Sequence, residues 1–146
     1  MALEIEHKYL VKSDDYRSMS YERVRIRQGY LNRRPEGTVR VRIRGTKAYL
    51  TVKGRTAGDT RLEFEYEVPV HEAEQMLQMC EGSVIDKTRY LVKYGDHTWE
   101  VDEFHGSHQG LVVAEIELDV SRHDYLLPPF VGKEVTGDSR YYNSNL

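Results

Sequence analysis

Acidic residues stand at alternate positions in several stretches of this chain: Glu4 and Glu6, Glu63 and Glu65, Glu100 and Asp102, Glu115 and Glu117. Basic residues do the same at Arg23, Arg25 and Arg27, at Arg40, Arg42 and Arg44, and at Lys87 and Arg89. Lys8 follows Glu6, and Lys53 follows Tyr49 and Thr51, in the same rhythm. A spacing of two places side chains on one face of an extended strand, so each face presents nearly one sign of charge. Carboxylate oxygens in a row suit hard divalent cations such as Mg²⁺ or Mn²⁺. Guanidinium forks and ammonium groups suit an anion that offers many oxygens. The two sets together fit one kind of ligand, a metal-bound polyphosphate.

Such faces need strands, and the alternation predicts about eight. Leu3–Val11 sets Glu4, Glu6 and Lys8 against Leu3, Ile5, His7 and Tyr9. Residues 22–31 set Arg23, Arg25 and Arg27 against Val24 and Ile26, and residues 38–44 set Arg40, Arg42 and Arg44 against Val39, Val41 and Ile43. Gly45-Thr46-Lys47 predicts a hairpin turn into Ala48–Gly54. Arg61–Val68 alternates Arg61, Glu63, Glu65 and Glu67 with Leu62, Phe64, Tyr66 and Val68, and Pro69 ends it because proline cannot extend a ladder. Further strands are expected at 84–94, 97–104 and 111–119. His71–Cys80, with Ala73, Met76, Leu77 and Cys80 at helical spacing, predicts the one clear amphipathic helix. Shorter helical segments are expected near 14–20, 122–127 and 138–145.

The length of 146 residues predicts one domain over 1–146, of α+β class and mainly antiparallel β. With 39% hydrophobic and 31% charged residues it is neither low-complexity nor fibrous. Its longest purely apolar run, Leu111–Ala114, is far below the ~18 residues of a membrane helix, and Glu4 and Glu6 stand where a signal peptide would be basic. A soluble, unexported protein is expected. The single cysteine, Cys80, excludes an intramolecular disulfide framework and fits a reducing compartment, so the cytoplasm is the expected location. His105 and His108 have no third metal ligand nearby and read as loop residues. No Gly-x-x-x-x-Gly-Lys-[Ser/Thr] loop is present, so the ordinary nucleotide-binding folds lose support.

The formal charge of −3 hides an asymmetry, for residues 23–61 hold twelve of the 21 Lys and Arg residues against only Glu36 and Asp59. A polyanionic partner follows. A solvated sheet mixes signs on a face, because like charges two residues apart repel. Eight antiparallel strands suffice to close a barrel. With the polar faces inward, the barrel is a charged, water-filled tunnel whose apolar faces pack outward under helices. The alternative from another class is an RNA-binding β-domain built on the basic block 23–61. It leaves the aligned carboxylates unexplained, since they would repel a phosphate backbone.

The residues also resemble a family. Glu4-Ile5-Glu6-His7-Lys8, Gln28-Gly29-Tyr30-Leu31, Val39-Arg40-Val41-Arg42, Leu50-Thr51-Val52-Lys53-Gly54, Lys87-Thr88-Arg89-Tyr90, Val112–Leu118 and Gly132-Lys133-Glu134-Val135-Thr136 are similar, in this order, to the CYTH superfamily, or triphosphate tunnel metalloenzymes. The resemblance implies a closed eight-stranded antiparallel tunnel that binds a triphosphate with divalent metal and hydrolyses or transfers it. The chain looks most like the compact bacterial inorganic triphosphatases, so inorganic tripolyphosphate is the expected substrate. Thiamine triphosphate hydrolysis and class IV adenylate cyclase activity are the alternatives in the same tunnel. By resemblance, Glu4, Glu6 and one or both of Glu115 and Glu117 hold Mg²⁺ or Mn²⁺, and Lys8, Arg25, Arg27, Arg40, Arg42, Lys53, Lys87 and Arg89 cradle the phosphates. Glu63, Glu65, Glu100 and Asp102 hold a second metal or position the attacking water. For Lys133 and Glu134 both a structural and a substrate role stay open, with structure the favoured reading. No nucleic-acid or membrane partner is expected.

Overall fold

The alternating stretches are strands in the computed structural model, which describes residues 3–119 and 124–146. In chain order the elements are β1 (Leu3–Val11), α1 (Tyr16–Met19), β2 (Glu22–Asn32), β3 (Gly37–Arg44), β4 (Lys47–Gly54), β5 (Thr60–Val68), α2 (Val70–Gln78), β6 (Glu81–Tyr94), β7 (His97–Phe104), β8 (Val112–Glu117) and β9 (Val131–Glu134). Each of the eight expected strands is present. β9 was not expected, because four residues reading Val-Gly-Lys-Glu carry no alternation. The expected helix over 71–80 is α2, which starts directly after Pro69. Segment 14–20 contains α1, a single turn, and segment 138–145 contains two 3-10 turns, Ser139–Tyr141 and Asn143–Asn145. Of the helix expected near 122–127, residues 122 and 123 lie outside the described residues and 124–127 are not helical.

The strands are ordered β5-β4-β3-β2-β6-β7-β8-β1-β9, and β5 also pairs with β1, which closes the first eight into a barrel. Every pairing is antiparallel. Closure rests on a short register, Leu3↔Leu62, Glu4↔Arg61 and Ile5↔Thr60, while β9 takes up β1 further along at Tyr9 and Val11. Two-residue turns link β3 to β4 and β6 to β7. Each begins with a glycine at positive φ, Gly45 at +58° and Gly95 at +61°, a conformation that side chains disfavour.

Most of the apolar core lies outside the barrel wall. Tyr9, Val92, Trp99, Val101 and Ile116 point outward and are covered by Tyr16 of α1 and by Phe130 and Val131. On the far side Val41, Ile43 and Ala48 are covered by Ala73 and Leu77 of α2. A residue the size of Trp99, fully buried, contributes about 1.5–3 kcal/mol or more by leaving water. The chain just after α2 lies so close to the wall that a Cβ at Gly29 would come within 2.6 Å of the Cys80 Sγ and 3.0 Å of its Cβ, an approach that favours glycine there. A smaller apolar group, Tyr30, Ile85, Phe104 and Val113, packs with Leu111 and Leu146.

Candidate active site

The inward faces enclose a cavity of about 170 Å³. Its carboxylates are Glu4 and Glu6 from β1, Glu63 and Glu65 from β5, Glu100 from β7, and Glu115 and Glu117 from β8. Its cations are Lys8 from β1, Arg40 and Arg42 from β3, Lys53 from β4, Arg61 from β5, and Lys87 and Arg89 from β6. Since β8, β1 and β5 are neighbours in the ring, most of the acids form one arc. Most of the bases occupy the other arc, on β4, β3 and β6.

Ion pairs knit the two arcs where they meet. Lys53 Nζ lies 3.0 Å from Glu4 and 3.1 Å from Glu63, and Arg61 Nε lies 3.0 Å from Glu4. Lys8 Nζ is 3.3 Å from Glu115 and Arg89 is 3.1 Å from Glu100. Thr51 Oγ1 donates to Glu65 at 2.9 Å. Against burial that would raise them, Lys53 holds the Glu4 carboxyl well below the usual range and Lys8 holds Glu115 down to about 2.

Two carboxylates are left without such partners. Neither Glu6 nor Glu117 is within ion-pair distance of a cation among the described residues. Burial, then Glu115 and Glu4, push the Glu6 carboxyl up to about 8, and burial, then Glu4, Glu100 and Glu63, push Glu117 up to about 7. Oxygens of Glu4, Glu63 and Glu117 lie within 4.8 Å of one another, near enough to share one ion. On the opposite arc the Arg40 Nε is a buried donor with no partner, and burial with Arg40 and Arg89 pushes Arg42 down to about 9. The acid arc lacks positive charge and the basic arc lacks acceptors, which a divalent cation and an oxyanion would supply.

Arg25 and Arg27, expected in the cradle, are not brought to the cavity. Both face outward: Arg25 pairs with Asp86 at 2.7 Å, and Arg27 pairs with Glu74 of α2. The inward parity of β2 is carried by Ile26, Gln28 and Tyr30, which are buried. The cause is electrostatic. β2 lies between β3 and β6, and a third row of arginines there would adjoin Arg40, Arg42, Lys87 and Arg89 without counterions. Arg25→Ala and Arg27→Ala are each expected to leave turnover and Tm close to those of the unsubstituted protein, because solvent screens both pairs. A large loss of activity in either would mean that the outward parity of β2 is wrong.

Asp102 also differs from expectation. It is almost fully buried in the wall and accepts from Lys87 at 2.7 Å and from Arg89 at 2.8 and 2.9 Å, so its oxygens are spent on these two cations. The sequence reading missed several lining residues: Arg61, Tyr30, Thr38, and Tyr142, Asn143 and Ser144 from the chain's last turns. Arg61 shares the parity of Glu63 and Glu65 and was readable on that ground. Nothing in the composition of 142–144 marks it. Lys133 lies on β9, and Glu134, which accepts from Thr136 and is half-exposed, lies there too, outside the barrel.

The sequence model of the CYTH domain matches residues 2–144. An inorganic triphosphatase of Acetivibrio thermocellus is 50% identical over 147 residues, spanning 100% of this chain and 94% of that protein. An inorganic triphosphatase of Nitrosomonas europaea is 34% identical over 148 residues, spanning 98% and 95%. A solved crystal structure of an inorganic triphosphatase is 33% identical, covers 97% of this chain and 95% of that one, and superposes with a TM-score of 0.68. Barrel closure, the two facing charge arcs and these likenesses agree: the chain belongs to the CYTH domain family.

Proposed function

We propose that this protein is a divalent-metal-dependent triphosphatase whose substrate is inorganic tripolyphosphate, bound in the barrel of the single domain 1–146. The observation that carries the reading is the facing of two incomplete charge arcs across one cavity. Carboxylate oxygen donors favour Mg²⁺ or Mn²⁺. Glu4, Glu6, Glu63, Glu115 and Glu117 fit such an ion, because the surplus negative charge at Glu6 and Glu117 is otherwise relieved only by protonation. When bound, the ion supplies neutralisation of phosphate oxygens and polarisation of the phosphorus centre.

The chain's own residues do the rest. Arg40 and Arg42 offer forks and Lys8, Lys53 and Arg61 offer further donors, so a triphosphate is held at several oxygens and the scissile phosphoryl is fixed against the attacking water. Phosphoryl transfer asks a protein mainly for positioning and charge stabilisation. Lys87 has an ammonium that burial, then Arg89 and Arg42, push down to about 7 despite Asp102. Near neutral pH it can therefore exist as the amine and take a proton from water. Glu65 and Glu100 flank the cavity and orient that water. Asp102 acts as counterion to Lys87 and Arg89.

A nucleic-acid-binding surface is served less well, because Arg40, Arg42, Lys53 and Arg61 of the basic block line the cavity rather than the outside. No helix among the described residues is long and apolar enough to cross a membrane. We assign the reaction to the cytoplasm on the strength of the free thiol of Cys80.

The test is phosphate release from tripolyphosphate, thiamine triphosphate and ATP, with Mg²⁺, with Mn²⁺ and in excess EDTA, alongside an assay for cyclic AMP. Tripolyphosphate is expected to be the fastest substrate, inert in EDTA and restored by either metal, with little cyclic AMP from ATP. Full turnover in EDTA would sink the metal mechanism. Cyclic AMP formation at a rate comparable to phosphate release would replace the hydrolase with a cyclase.

A further inference from the structure

Gln28 belongs to neither charge arc, yet its amide is fully buried in the barrel. Its Oε1 accepts from Arg42 Nε at 2.7 Å, and its Nε2 donates at 3.2 Å to the side-chain oxygen of Asn143. The same Asn143 oxygen accepts from Lys87 Nζ at 3.0 Å, while Asp102 takes a second Lys87 donor at 2.7 Å. The ring of Phe104 lies 5.4 Å from the same Nζ and closes its apolar side. Asn143 is carried by the 138–146 segment, which the barrel grips at other points. Lys8 Nζ donates to the Tyr141 carbonyl at 3.0 Å, and Arg33 donates to the Ser144 carbonyl.

A lysine ends in a flexible four-carbon stem, and its nitrogen carries three free directions. Two acceptors at fixed places remove most of that freedom. Asp102 and Asn143 occupy two directions, and one is left for a ligand in the cavity that Lys87 lines. A segment that merely stopped one end of the barrel would need bulk. It would not need an amide oxygen shared by two buried donors, one of them the Nε2 of a glutamine that, among the described residues, donates to that oxygen alone. Burial of such amides is costly unless each is satisfied, so the pairing of Gln28 with Asn143 marks a position the fold maintains.

We propose that Asn143 is a positioning residue of the active site: held by Gln28, it aims the Lys87 nitrogen at the water that attacks the bound triphosphate. This rests on the reading of Lys87 as part of the reaction centre. Asn143→Ala then frees the nitrogen to swing, and truncation leaves Gln28 and Lys87 each short of an acceptor. Positional errors of this kind cost about 10- to 100-fold in rate.

The test uses the full chain with Mg²⁺ or Mn²⁺ and inorganic tripolyphosphate, comparing Asn143→Ala, Gln28→Leu, Lys87→Ala and the two doubles that contain Asn143→Ala. Asn143→Ala is expected to lower kcat by about 10- to 100-fold with KM changed by less than about threefold. Gln28→Leu should show a loss of the same kind, and the Gln28→Leu/Asn143→Ala double should lose no more than the worse single. In the Lys87→Ala background Asn143→Ala should add nothing. A kcat unchanged or raised by Asn143→Ala, as a removable stopper would give, overturns the proposal. So does a loss that multiplies with Gln28→Leu, or one that persists without Lys87. An active wild-type protein that tolerates Lys87→Ala would instead remove the reading of Lys87 itself.

Discussion

Glu6→Gln is expected to lower metal-dependent hydrolysis of tripolyphosphate by about 10²- to 10⁴-fold and, in the same protein, to raise the Tm when metal is absent. Both effects come from one charge. The side chain keeps its size and hydrogen-bonding capacity but can no longer supply a carboxylate to a divalent cation, and such an ion contributes several kcal/mol to phosphoryl transfer, at about 1.4 kcal/mol per factor of ten. The stability effect follows from linkage. A glutamate has a pKa of about 4.3 when unfolded, whereas burial and the neighbouring Glu115 and Glu4 raise Glu6 to about 8 in the folded protein. Between those values the folded state binds the extra proton, so the metal-free protein loses stability as pH rises from about 4.5 to 8. The Tm advantage of Glu6→Gln should therefore be small at pH 5 and largest near pH 8 in EDTA, and it should reverse on adding Mg²⁺.

The neighbouring position supplies the control. Ile5 points the other way and packs, partly buried, against the outer core. Ile5→Ala should cost about 2 kcal/mol, the low end for a truncated aliphatic side chain, and leave the chemistry of the folded protein nearly intact. Adjacent residues in a strand cannot exchange faces without a slip of register. A fully active Glu6→Gln protein would mean that the carboxylates do not hold the metal.

That contrast was readable from the sequence because on β1 chemistry and parity coincide: Glu4, Glu6 and Lys8 alternate with apolar residues, and only one face suits a core. β2 shows where such reasoning stops. Its arginines alternate just as cleanly, but the direction a row faces depends on what lies beside it on both sides. The row Arg40/Arg42 comes from β3, which follows β2 directly, whereas Lys87/Arg89 comes from β6, distant in sequence. Once β3 and β6 are its neighbours, repulsion turns the arginines of β2 out to Asp86 and Glu74 and leaves Gln28 and Tyr30 inside. Position 29 is also fixed only in three dimensions, by the approach of Cys80. Asn143 was invisible for another reason. It lies in irregular turns, where neither a period of 2 nor one of 3.6 operates, and its two donors come from β2 and β6. The sequence thus reveals which charges are present, and the ring order decides which of them meet.

Asp102 is the position where charge and stability are most tightly joined, and its removal should do the reverse of Glu6→Gln. Asp102→Ala withdraws the acceptor of Lys87 and Arg89 from a fully buried site, leaving Lys87 without a counterion and Arg89 with Glu100 in place of two carboxylates. Breaking a buried pair from one side costs about 3–5 kcal/mol, because the remaining charge cannot be solvated. The native carboxyl lies well below its usual range, since Arg89 and Lys87 overcome the effect of burial. Its own stabilisation is complete above the unfolded value near pH 4 and lost only in stronger acid. Because Lys87 is pushed down to about 7, the deficit of Asp102→Ala should be greatest near pH 5, where Lys87 is charged, and shrink toward pH 7 as Lys87 loses its proton, opposite in trend to the gain of Glu6→Gln. Denaturant titration at three pH values measures both. Asp102→Leu combined with Lys87→Met replaces one charge pair by apolar groups of similar size and should recover part of the stability without recovering activity. If Asp102→Ala instead unfolded no more easily than the wild type while losing only metal affinity, Asp102 would be a ligand facing the cavity, and Lys87 and Arg89 would have to find their counterion in the phosphate.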